Sequence, residues 1–88
     1  MKMNELMQYV KERDEMLLKG SVDELKKFAL ANRKHYSPMF IVMLEKASYA
    51  TLEATLHKMI VNCTNLPEEY RQKSADWLVE KGFGKDIF

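Results

Sequence analysis

The chain has 88 residues, with 14 Lys+Arg against 13 Asp+Glu, 47% hydrophobic residues and one cysteine. A formal charge of +1 supplies neither the bulk attraction of a basic chain for nucleic acid nor the field of a polyanion that imitates it. The scaling of surface with mass gives burial of about 64% of the open chain's surface, enough for one core and a single domain over 1–88; one cysteine forms no internal disulfide, and the sequence reads as cytoplasmic.

Apolar residues recur at spacings of three and four, sustained alternation is missing, and Gly and Pro fall where helices begin or end. That pattern predicts an all-α fold, a compact bundle of four to five short helices. The first helix is expected over Asn4–Lys19, with Leu6, Met7, Val10 and Leu17 inward and Lys11, Glu12, Arg13, Asp14 and Glu15 as a solvated middle. Gly20 stops it. Ser21 with Glu24 three residues later has the form of a capping box, so a second helix starts at Val22. It buries Val22, Leu25, Phe28 and Ala29 and runs to about Arg33, before a connector of Lys34, His35 and Tyr36.

Ser37 followed by Pro38 restarts the helix, because proline at a first helical position has no amide hydrogen to lose and serine caps just before it. The run Met39 to Leu44 is apolar on every side, which places it at the centre of the bundle or partly under another chain. At six residues it is far short of the ~20 needed to span a bilayer, and no apolar stretch follows Lys2 as a signal peptide requires. Further on, Tyr49, Leu52, Leu56, Met59 and Cys63 fall within an arc of about 80°, a buried seam. Two readings stand for 38–64. One continuous helix would be about 40 Å long in a globule whose radius of gyration is about 12 Å, which favours a dimer; alternatively Ser48 caps a separate helix. The last helix starts at Pro67, carries Glu68 and Glu69 in its first turn, and places Tyr70, Ser74, Trp77, Leu78 and Lys81 on one face. Gly82 and Phe83 fit a Schellman ending with Phe83 folded on Leu78, and 83–88 reads as a short extended tail.

No chemistry-bearing motif emerges. His57 and Cys63 are six apart, about 240° around a helix, so their side chains diverge, and no CxxC or HxxxH completes a zinc set. Cys63 reads as a small apolar residue of the seam and His57 as a flanking polar one. Gly20, Gly82 and Gly84 form no phosphate loop, and the carboxylates alternate with Lys and Arg as on solvated helices. The sequence therefore implies no enzyme, metal, cofactor or small-molecule substrate.

Charge is uneven: 25–44 carries +4 with no acid. Lys26, Lys27, Arg33 and Lys34 are the phosphate-contact candidates of an alternative reading, a helix-turn-helix-like DNA-binding regulator using 26–35. The following helix argues against it, since Pro38-Met39-Phe40-Ile41-Val42 offers base edges no polar side chain. The favoured reading is a protein-interaction module, a homodimer, anchored by Met39, Phe40 and Met43 on a helix with more apolar surface than one neighbour covers.

The stretch from Leu66-Pro67-Glu68-Glu69-Tyr70-Arg71 through Trp77-Leu78-Val79-Glu80-Lys81-Gly82-Phe83, with His57-Lys58-Met59 upstream, resembles the ends of small helical proteins encoded by bacterial prophages and related mobile elements. The resemblance implies a small accessory protein and assigns no functional residue.

Overall fold

Why each helix begins and ends where it does is legible in a computed structural model, which describes residues 3–83. The described residues form α1 (Met3–Lys19), α2 (Val22–Ala31), a 3-10 turn (Arg33–His35), α3 (Pro38–Lys46), α4 (Tyr49–Asn62) and α5 (Glu68–Glu80), with no strand among them. The fold is all-α. No helix among the described residues is long and apolar enough to cross a membrane.

Serine starts three of these helices. Ser21 Oγ accepts from the Glu24 amide at 3.4 Å, Ser37 Oγ from the Phe40 amide at 3.2 Å and Ser48 Oγ from the Thr51 amide at 3.3 Å. Each bond satisfies an amide that the first helical turn leaves without a carbonyl. The box expected at Ser21 forms by half: the Glu24 carboxylate turns instead to Lys19, 3.7 Å away. α2 ends at Ala31, two residues before the expected Arg33, with Asn32 as its cap. Its side chain donates to the Phe28 carbonyl at 2.9 Å, competing with the helical amide for that acceptor. Pro67 stands just before α5 as its cap residue, without a side-chain bond, rather than as its first turn.

The two readings of 38–64 resolve to separate helices. Ala47 leaves helical geometry at φ −72°, ψ 153°, and Ser48 caps α4. With the long helix goes the length argument for a dimer.

At its end α5 closes as a Schellman turn. The Gly82 amide bonds the Val79 carbonyl at 3.1 Å and the Phe83 amide bonds the Leu78 carbonyl at 2.7 Å, with Gly82 at φ +88°. The Phe83 ring lies parallel to Trp77, centroids 6.3 Å apart, and under Lys58 Nζ at 5.9 Å. The rest of the expected tail, 84–88, lies outside the described residues.

The core gathers Met16, Leu17, Val22, Leu25, Ala29, Ile41, Leu44, Leu52, Leu56, Ile60, Cys63 and Leu66. α2 sits in the middle, touching α1, α3 and α4, while α4 and α5 form the most extensive helix pair. Two expectations about faces change. On α1, Leu6 and Met7 are exposed and the inward stripe is Tyr9, Arg13, Met16 and Leu17; steps of four, three and one still trace one helical face, with an arginine in it. On α3, Ile41 and Leu44 are buried while Met39 and Val42 face outward, so this helix flanks the bundle rather than running through its centre.

Candidate functional site

α3 presents the apolar surface the sequence points to, on fewer residues. Met39 is 83% exposed and Val42 50%. Phe40 and Met43, expected as anchors beside Met39, are half-buried against the core, and Phe40 stacks on Tyr36 with centroids 5.1 Å apart. A hollow of about 370 Å3 on the same helix is walled by Tyr36, Pro38, Ile41 and Val42, with Arg33 and Glu45 also lining it; Met39 itself is not part of the lining. Arg33 and Glu45 pair at 3.4 Å, each more than half exposed, so the pair itself adds little stability.

The basic segment is not a continuous positive face. Lys27, Arg33 and Lys34 are exposed and Lys26 half-buried, but Arg33 is engaged by Glu45. Lys34 shares a hollow of about 330 Å3 with Glu5 and Glu12 of α1. Carboxylates absent from 25–44 in sequence are supplied across the fold by α1 and α3.

A polar cluster unforeseen in sequence joins α1 to the end of α4. Arg13 Nη2 and Nε reach Asp14 Oδ1 at 2.9 and 3.2 Å, Asn65 Nδ2 donates to Asp14 Oδ2 at 3.1 Å, and the Cys63 thiol donates to Asp14 Oδ1 at 3.1 Å. Arg13 Nη2 also approaches Cys63 Sγ at 3.5 Å. Burial and the bond to Asp14 push the thiol up from its ordinary value. Burial opposes ionisation of Asp14, yet the bonds from Cys63, Arg13 and Asn65 outweigh it and hold the carboxyl below the usual range. Cys63 is therefore a bonded thiol rather than an apolar filler, and Arg13 and Asp14 are no solvated middle. The spacing Tyr9, Arg13, Leu17 carries a signal for this, since i, i+4, i+8 share a face.

Beside the cluster opens a cleft of about 420 Å3, with Tyr9, Arg13, Leu17 and Tyr36 on one side and Met59 and Asn62–Asn65 on the other. Tyr9 stacks with His35 and with Phe28, at 3.9 and 5.6 Å. Its hydroxyl donates to that of Tyr36 at 2.8 Å. Burial holds the Tyr36 hydroxyl protonated far above its ordinary range.

His57 turns the other way, toward α5. Its Nδ1 lies 2.9 Å from Ser74 Oγ and its ring stacks on Trp77 at 4.2 Å. A serine bonded to an imidazole has the elements of a nucleophile and base. Ser74, however, is 4% exposed, too enclosed for a substrate carbonyl to approach its oxygen. The pair clamps α4 to α5 and satisfies a buried hydroxyl. Burial depresses the imidazole pKa, partly offset by the Glu53 carboxylate. Among the described residues no three His, Cys, Asp or Glu side chains converge on a metal position.

Comparison with known protein families, with curated proteins and with solved structures finds no match in any of the three.

Proposed function

We propose that this chain is a small helical interaction module that pairs with a second copy of itself through the outward face of α3. The observation that carries the reading is that one helix presents both a projecting apolar side chain, Met39 at 83% exposure, and an apolar-walled hollow lined by its Pro38, Ile41 and Val42. A two-fold contact brings identical patches together, so each copy's Met39 enters the other's hollow. Methionine suits this role because its unbranched thioether adapts to an irregular cavity. The rim is charge self-complementary: Arg33 and Glu45 re-pair across the two-fold axis, and the patch presents both signs to its copy. Carboxylates interspersed with the basic segment favour such a protein partner over a phosphate backbone. The module acts in the cytoplasm as an accessory protein, in keeping with the prophage resemblance.

Light scattering over a range of concentrations and two salt levels tests the reading. The parent chain forms a dimer whose association changes little with salt. Met39→Asp and Val42→Asp give monomers with unaltered helical circular dichroism, because both positions are exposed in the monomer. A parent chain monomeric at every concentration, or a Met39→Asp variant that still dimerises, overturns it. Phe40, packed on Tyr36, is a poor probe, since its replacement also removes a monomer contact.

A further inference from the structure

The cleft between α1 and the end of α4 has the size and chemistry of a ligand site. At about 420 Å3 it falls within the range of small-molecule pockets, which pair apolar walls with a few placed polar groups. Its one charged lining group is a cation, Arg13, and no carboxylate lines it. Asp14 sits behind the guanidinium instead, and its two oxygens are taken by Arg13, Cys63 and Asn65. That arrangement fixes the guanidinium through Nε and Nη2, while among the described residues no acceptor engages Nη1. A second donor stands close by. Tyr36 accepts the Tyr9 hydroxyl proton, so its own proton is available to a ligand, and the guanidinium is near enough to act on its titration. Leu17 and Met59 supply the apolar walls and the Tyr9 ring an aromatic one.

We infer that the cleft binds a small organic oxyanion, with its acidic headgroup on Arg13 Nη1 and the Tyr36 hydroxyl and its apolar body against Leu17 and Met59. A guanidinium held by a carboxylate behind it and left open in front is preorganised for a planar or tetrahedral oxyanion. Both donors keep their protons throughout the neutral range, so the site itself adds no pH dependence there.

The test is a titration of the 15N-labelled chain with benzoate, phenyl phosphate and neutral benzamide, followed by amide and Arg13 Nε shifts. At least one anion produces saturable shifts centred on Arg13, Leu17, Met59 and Asn65, and benzamide binds at least about tenfold more weakly, the loss of one charge-assisted hydrogen bond. Which anion saturates distinguishes a carboxylate from a phosphate ligand. Arg13→Gln weakens the anion by at least about tenfold. Tyr36→Phe keeps the ring stack and weakens it several-fold, which preserves the test where Arg13→Gln perturbs the fold. Three results overturn the inference: neither anion saturating, benzamide binding as tightly as the anions, or shifts that map away from the cleft.

Discussion

Gly20 connects the end of α1 to α5 through a single oxygen, and replacing it by alanine measures that connection. Its φ of +62° lies in the left-handed region, which costs an L-residue roughly 1–2 kcal/mol. Reduced freedom of the unfolded chain returns about 0.4–1 kcal/mol of this. An added Cβ would also meet Tyr70 Oη at 3.2 Å. That hydroxyl donates to the Leu17 carbonyl at 2.6 Å, so a shift of a few tenths of an ångström strains a bond worth about 1 kcal/mol. Gly82 is the internal control: its φ is +88° and no atom lies within 4 Å of its added Cβ. Gly82→Ala therefore loses only the backbone contribution, about 1 kcal/mol, and Gly20→Ala about 2 kcal/mol. Tyr70→Phe alone costs about 1 kcal/mol, since the Leu17 carbonyl keeps the Gly20 amide at 3.1 Å. With the hydroxyl already gone, Gly20→Ala falls back to the Gly82 value, so the double-mutant cycle shows a coupling of about 1 kcal/mol. Urea unfolding followed by far-UV circular dichroism reads all four variants. Equal losses for Gly20→Ala and Gly82→Ala, or additive losses in the cycle, refute the reasoning.

The His57 imidazole titrates below its ordinary value of 6.5 because it is buried, so between the two values the unfolded chain holds the extra proton. Stability is then fully present above about pH 6.5 and falls as the pH drops toward the folded-state value; urea midpoints against pH show this slope, and His57→Gln flattens it. Trp77 fluorescence changes as the pH falls through the folded-state value, since the charged ring then forms against the indole at 4.2 Å, and loses that dependence in His57→Gln. Cys63, raised by burial and by Asp14, reacts with iodoacetamide more slowly at neutral pH than a free thiol, and Asp14→Asn accelerates it; equal rates for parent and variant contradict the bond. Ser48→Ala removes the side-chain cap that starts α4 and costs about 1 kcal/mol in urea unfolding, whereas an unchanged midpoint means the α3–α4 break is held by packing alone.

Local chemistry carried most of the fold. Ser21, Ser37 and Ser48 are each followed by the amide they cap, and Leu52, Leu56 and Cys63 of the expected seam are buried, because capping and helical periodicity act within a few residues. Tyr49 of that seam is 63% exposed, as the first residue of α4 with no turn before it to bring a neighbour. The sequence leaves the break at Ala47 open because neither Gly nor Pro marks it, and Ser48 signals a start without an end. What periodicity does not carry is the polar pairing. Asp14 meets Cys63 and Asn65 from about fifty positions away in the chain, and His57 meets Ser74 across two helices. A charged residue on an inward stripe reads as solvated until its distant partner is known, and Arg13 is such a residue. The same holds for the basic segment, whose neighbouring carboxylates come from α1 and α3.

Self-pairing through α3 is most directly tested by isotope-filtered NMR on a mixture of 13C-labelled and unlabelled chains, which records only contacts between copies. The account predicts intermolecular NOEs from the Met39 methyl to Pro38, Ile41 and Val42 of the other copy, all lost in Met39→Asp. A mixture that shows no NOE between copies at high concentration, or shows them only from Leu6, Met7 or Val79, which are also exposed, contradicts it.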